Sequence, residues 1–159
     1  MVCATLRAET MYGQTNCFIL PTGNYGLFEM KNDELFVISE RAAKNMAYQE
    51  LTKEDTKFPN LCPIKGSDLM GKRVKAPLTS YEFVYVLPLP SIKMNKGTGI
   101  VTSVPSDSPH DFSMLNDLKN KNGLRVELKV EEEWVANFEP IPIIDIPELG
   151  NLCAVKVCE

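Results

Sequence analysis

Apolar residues along this chain recur in short bursts separated by proline, glycine and polar clusters, a pattern that predicts many short strands and few helices. Residues 15–20 predict a strand closed by Pro21-Thr22-Gly23-Asn24. Residues 27–38 predict a hairpin turning at Lys31-Asn32-Asp33, with Phe28/Met30 and Leu35/Val37 alternating on its two strands. Ser39 then stands where an N-cap belongs, ahead of a short helix over residues 41–47. Residues 53–63 are polar and proline-punctuated, which predicts a surface loop. Residues 84–87 predict a strand that stops at Pro88 and Pro90, because proline has no N–H to donate to a ladder.

Past the middle, the β-rich run 100–104 leads into Ser106-Asp107-Ser108-Pro109, and a proline just after a serine cap marks a helix start. Phe112, Leu115 and Leu118 supply that helix with an apolar stripe. Residues 141–146 and 152–157 predict two further strands. The sum is an α+β fold: a strand-rich, barrel-like or sandwich-like core with a few short helices.

At 159 residues the chain has the length of one domain, and residues 1–159 are expected to form one. Hydrophobic residues at 44% and charged residues at 24% fit an ordinary water-soluble domain. The net charge of −4 argues against broad phosphate-driven RNA or DNA binding, which calls for a basic face. A domain of this charge that touches RNA is expected to hold a terminus in a pocket. Five cysteines without a C-x-x-C pair predict free thiols in a reducing compartment, the cytoplasm, and no zinc site. One histidine leaves little room for a metal centre or a triad. No stretch approaches the ~18 apolar residues of a membrane helix, so no membrane partner is expected.

Two segments concentrate the chemistry. The first is Ala4-Thr5-Leu6-Arg7-Ala8-Glu9-Thr10-Met11-Tyr12-Gly13-Gln14-Thr15-Asn16, in which three threonines offer both a hydroxyl and a methyl. Such side chains can bond a water while limiting what else fits, or can simply form an edge strand. Arg7 and Glu9 are placed to pair across the turn or to face solvent. The second is Gly97-Thr98-Gly99, running on to Ser108-Pro109-His110-Asp111. Its glycines lack the third glycine and following helix of a dinucleotide site, so a turn is the better local reading. Asp111 has the spacing of a capping box, in which the fourth residue reaches back to the cap amide. Ser108, His110 and Asp111 hold the letters of a triad, yet neighbours at a helix start cannot line up as nucleophile, base and orienter. Lys93 and Lys96 read equally as solvated loop residues and as phosphate or ribose contacts.

The order and separation of these two segments resemble the editing domain inserted into leucyl-tRNA synthetases, in its cytosolic form. The family pattern T-x-R-P-[DE]-T is matched by Thr5, Arg7, Glu9 and Thr10, with Ala8 in place of the proline. The resemblance covers nearly the whole chain. It begins so near residue 4 that the chain is expected to be an excised piece, ending at Glu159 before the region returns to the synthetic core. What the resemblance implies is hydrolysis of noncognate aminoacyl esters on the 3′-terminal adenosine of leucine tRNA.

Under that resemblance, Thr5 with the backbone of Leu6 and Arg7 would position the attacking water, and Thr10 would be the steric gate against leucine. Asp111 would hold the substrate's α-ammonium group. Lys93, Lys96, Gly97, Thr98, Gly99, Thr102 and Asp107 align with positions lining the terminal-adenosine pocket. The implied partners are the mischarged CCA end of tRNA(Leu) and, in cis, the rest of the synthetase. Boron compounds that esterify the ribose diol are expected ligands. No cofactor or metal is expected in this domain, ATP and magnesium belonging to the absent synthetic domain. Two other readings stay open: a valyl synthetase editing domain, which shares the first motif's skeleton, and a non-catalytic module that binds a tRNA 3′ end.

Overall fold

The computed structural model describes residues 1–159. In chain order the elements are β1 (Asn16–Ile19), β2 (Asn24–Glu29), β3 (Leu35–Ser39), α1 (Glu40–Tyr48), β4 (Cys62–Lys65), α2 (Gly66–Leu69), β5 (Arg73–Val74), β6 (Val84–Pro88), β7 (Ile100–Ser103), α3 (Pro109–Asn120), α4 (Asn122–Leu128) and α5 (Cys153–Cys158). Short 3-10 helices occupy Ala8–Gly13 and Glu132–Trp134. The fold is α+β, as its pattern predicts. The strands form two open sheets of four and three strands, with no closed barrel.

The chain divides into two compact units. The first comprises Met1–Ala4, Ile19–Leu69 and Leu89–Val101. Its sheet runs β3-β2-β4, with β2 antiparallel to both neighbours. The hairpin turns where expected, with Asp33 in the left-handed region and Met30 N–H donating to Glu34 O at 2.9 Å. Alternation along the strands leaves open which face is buried. The register pairs Phe28 with Phe36, so Phe36 and Ile38 join Phe28 and Met30 in the core, while Leu35 is exposed. Leu35 and Val37 fall on the other face because side chains alternate strictly along a strand.

Ser39 caps α1, its Oγ accepting from Ala42 N–H at 3.3 Å. Ala42 and Ala43 bury against the same core, their small size bringing the helix close to the sheet. The loop expected over 53–63 ends in a strand: β4 pairs Cys62 with Leu27 and Pro63 with Gly26. Proline is tolerated there because β4 is an edge, where its missing N–H breaks no ladder.

The second unit comprises Thr5–Phe18, Met70–Pro88 and Thr102–Glu159. It holds most of the sheet ordered β5-β6-β1-β7, and its buried residues include Phe18, Val84, Val86, Leu115 and Leu118. The serine before Pro109 is the N-cap of α3, as expected, and the stripe of α3 is buried at Leu115 and Leu118 with Phe112 half-buried. Two expected strands do not form. Residues 141–146 contribute a single isolated bridge, Ile146 to Gly150, in a stretch where Pro140, Pro142 and Pro147 cannot donate to a ladder. Residues 152–157 instead fall in helix α5, which packs on α3. Cys153 and Ala154 are its buried positions, and Ala154 N–H donates to Ser106 O at 3.1 Å, while Val157 is exposed. The alternating valines of α5 therefore mark no sheet face.

Candidate functional site

The threonine-rich segment lies in the second unit and is a 3-10 helix with its lead-in, not an edge strand. Thr5 Oγ1 accepts Arg7 N–H at 3.0 Å, a local turn that leaves Leu6 wholly exposed. Arg7 Nε meets Glu9 Oε1 at 3.1 Å, so of the two open readings the pair forms, with both side chains on the surface. The Glu9 carboxyl is held below its ordinary value by its own backbone amide and then by Arg7. Thr10 differs from its neighbours in being buried. Its hydroxyl donates to Arg7 O at 2.7 Å and its N–H to the same carbonyl at 3.1 Å. With the hydroxyl committed to the backbone, what Thr10 can offer a substrate is the bulk of its methyl.

The loop before α3 supplies the second constellation of this unit. Asp111 is 6% exposed, and Val104 N–H donates to its Oδ2 at 3.0 Å. Only half of the expected capping box forms. Ser108 Oγ accepts Asp111 N–H at 3.4 Å, but the Ser108 amide donates to Val104 O at 3.0 Å, so the carboxylate turns to Val104 instead. Burial pushes the Asp111 carboxyl above its ordinary value, opposed by the Val104 amide, the Ser108 hydroxyl and the charge of His110. None of the chain's eight ion pairs includes Asp111. A buried carboxylate outside any close ion pair is unfavourable, and a cation brought to it by a ligand would relieve that.

Ser106 Oγ donates to Asp107 Oδ2 at 2.6 Å, orienting that half-buried carboxylate. Thr102 Oγ1 is buried with no protein partner, as are Ser103 Oγ, Asn16 Nδ2 and Gln14 Oε1. Thr15 N–H donates to Ser103 O at 3.1 Å, linking the β1 and β7 ends that carry these groups. Gln14, Asn16 and Ser103 were not singled out from sequence. For Asn16 and Ser103 the signal is a polar residue inside a short apolar strand, since such groups normally find partners.

The first unit carries the other predicted positions. Lys93, Lys96, Gly97, Thr98 and Gly99 come together around one cavity of about 310 Å³. The two lysines are exposed, and Thr98 and Gly99 form its buried wall. Ser39 N–H donates to Thr98 O at 2.8 Å, and the Tyr25 hydroxyl donates to Gly99 O at 2.7 Å while accepting Leu20 N–H at 3.0 Å. Gly99 has φ +80°, and a Cβ there would lie 3.1 Å from Tyr25 and 3.0 Å from Met94. Glycine is therefore required by both conformation and space. Tyr25 was not identified from sequence, because its partner lies 74 positions away.

No protein-family model matches the chain. Among relatives, it is 54% identical over 156 residues to the cytoplasmic leucine–tRNA ligase of Dictyostelium discoideum, covering 98% of this chain and 15% of that protein. It is 48% identical over 159 residues to the cytoplasmic enzyme of Pongo abelii, covering 100% of this chain and 14% of the relative. The crystal structure of GlLeuRS-CP1 superposes with a TM-score of 0.93 at 49% identity, over 98% of this chain and 58% of that one. The chain belongs to the leucyl-tRNA synthetase editing-domain family.

The P. knowlesi cytosolic leucyl-tRNA synthetase editing domain has the same fold, with a TM-score of 0.84 at 28% identity over 96% of this chain and 60% of that one. The matched relatives are leucyl enzymes, which favours the leucyl reading over the valyl one. The chain spans about one-seventh of the length of those curated relatives. No helix is long and apolar enough to cross a membrane.

Proposed function

We propose that this leucyl-tRNA synthetase editing domain hydrolyses the ester between a noncognate amino acid and the 3′-terminal adenosine of leucine tRNA, in the cytoplasm and in cis with a synthetic core. The observation that carries the proposal is Asp111, a buried carboxylate fixed by Val104 N–H and outside all eight ion pairs of the chain, with only the exposed His110 adding charge nearby. Every aminoacyl ester presents an α-ammonium group, and an ionised hydrogen bond to it contributes about 1.5–3 kcal/mol.

The physical need is selectivity. One methylene in a synthetic site is discriminated by only about 1–3 kcal/mol, so a second sieve is required. Thr10 is suited to that sieve, because the bond from its hydroxyl to Arg7 O fixes where the methyl sits. Ser108, whose hydroxyl accepts Asp111 N–H at 3.4 Å, is engaged as a helix cap and is assigned no nucleophilic role. Catalysis then rests on a positioned water and the ribose's own hydroxyl, with Thr5 and the backbone of Leu6 and Arg7 as orienting groups. Lys93 and Lys96, on the rim of the Thr98–Gly99 cavity, suit a terminal ribose or phosphate, and a boron compound on the ribose diol would occupy the same subsite.

The decisive experiment is deacylation of isoleucyl- or norvalyl-tRNA(Leu) by the 159-residue chain. Release of free amino acid above the uncatalysed rate is expected. Binding of the charged CCA end with no release would instead make this a non-catalytic 3′-end module.

A further inference from the structure

The second unit carries a cavity of about 350 Å³ apart from the residues assigned to editing. Its walls are Tyr81, Phe83, Tyr85 and Phe138, and Glu82 and Glu133 stand at its edge. The rings form a continuous aromatic surface. Tyr81 and Phe138 centroids are 4.9 Å apart, Tyr85 meets Phe138 edge-on at 5.9 Å, and Phe83 meets Tyr85 edge-on at 5.5 Å. Trp134 backs Tyr85 in a stack at 6.2 Å. Trp134 is held in turn by Gly71, where a Cβ would fall 2.3 Å from the indole.

One wall is held in place by hydrogen bonds within the chain. Tyr81 is clamped by Glu139, accepting its N–H at 2.8 Å and donating to its carbonyl at 3.1 Å. A preformed site loses less freedom on binding.

The faces of aromatic rings are electronegative and attract guanidinium or ammonium groups. One ring here already does so, with Arg73 Cζ lying 5.0 Å from the centroid of Phe83. The carboxylates add the matching charge. The neighbouring cations are engaged, Arg73 on the Phe83 ring, Arg125 with Glu132 and Lys119 with Glu139, whereas Glu82 and Glu133 take part in no ion pair. Both glutamates are exposed, and three consecutive glutamates, Glu131-Glu132-Glu133, lead into Trp134.

We propose that this acid-edged aromatic cleft is a docking site for an arginine side chain presented by a partner protein. A planar guanidinium can lie against Tyr85 while its N–H groups reach Glu82 or Glu133, a combination that an apolar or anionic side chain cannot reproduce. The site is independent of the hydrolytic reading, since it uses neither Thr10 nor Asp111.

The test uses the intact chain and the peptide acetyl-Gly-Arg-Gly-amide, with the citrulline peptide as a neutral analogue of the same shape. Trp134, the only tryptophan, reports binding by fluorescence, and amide NMR shifts locate it. The arginine peptide is expected to bind saturably, shifting residues 81–85 and 133–138, while citrulline binds at least about fivefold more weakly. Glu82→Gln with Glu133→Gln, both exposed and expected to leave the melting midpoint unchanged, should weaken arginine binding by about two- to fivefold. Tyr85→Leu should remove it. Equal binding of arginine and citrulline would overturn the proposal, as would an unaltered affinity in the double glutamine variant. So would shifts centred elsewhere, or the absence of saturation.

Discussion

Replacing Asp111 by asparagine and by alanine separates the substrate role proposed for it from its contribution to the fold. Both variants lose the anion for the α-ammonium group. A charge-assisted bond of about 1.5–3 kcal/mol corresponds to a fall of roughly 10- to 150-fold in kcat/KM, for isoleucyl- and norvalyl-tRNA alike. Stability should divide the variants. Alanine leaves Val104 N–H without the acceptor it now has at 3.0 Å, a loss of about 1–3 kcal/mol, and each kcal/mol lowers the melting midpoint by about 2–4 °C at this chain length. Asparagine keeps an acceptor for that amide and is never ionised.

The pH dependence follows from the sign of the shift. The folded carboxyl titrates above its unfolded value of 3.8, so protonation is favoured by folding. Below that value the carboxyl is neutral in both states and its burial carries no ionic penalty. As pH rises through the folded value, that advantage is lost. The parent should therefore match Asp111→Asn most closely in acid, and the asparagine variant should gain on it as pH approaches 7. Melting curves from pH 3 to 8, with single-turnover deacylation at pH 7, provide both measurements. An asparagine variant that deacylates at the parent rate would refute the ammonium role. A stability gain that grew on acidification would refute the account of the buried charge.

Thr10→Ala should open the sieve so that correctly charged leucyl-tRNA is hydrolysed while activity on isoleucyl-tRNA persists. Thr10→Val keeps the bulk and should still spare leucyl-tRNA, and a valine variant as permissive as alanine would show that the hydroxyl is the discriminating group. Tyr25→Phe removes the donor to Gly99 O and the acceptor of Leu20 N–H, both in place at 3.0 Å or less, and should lower stability by about 1–3 kcal/mol, read as a shift in denaturant midpoint at constant slope. With a net charge of −4, the isolated chain should bind uncharged tRNA weakly with a shallow salt dependence, and filter binding across salt concentrations that gave a steep slope would reveal a basic face.

Local chemistry was legible in the sequence wherever a residue acts on its near neighbours. Ser39 and Ser108 cap their helices, Asp33 turns its hairpin and Arg7 pairs with Glu9, each within three positions along the chain. The two motifs were legible for a different reason: their residue types and order carry a likeness that survives without coordinates.

Tertiary structure decided what depends on partners distant in sequence. The β2–β3 register placed Phe36 and Ile38 inward and Leu35 and Val37 on the opposite face, because alternation fixes two faces but not which one is buried. The end of the chain became a helix because Cys153 and Ala154 bury on the α3 side of their unit, overriding the β preference of its valines. The carboxylate of Asp111 turned to Val104 because Ser108's amide was already bonded to Val104 O. Tyr25 reached Gly99 across 74 positions, and the aromatic cleft drew its rings from residues as far apart as Tyr81 and Phe138. Pattern along a chain specifies which residues are apolar or polar, whereas the contacts that set a carboxylate's charge or close a cleft arise only when distant segments pack.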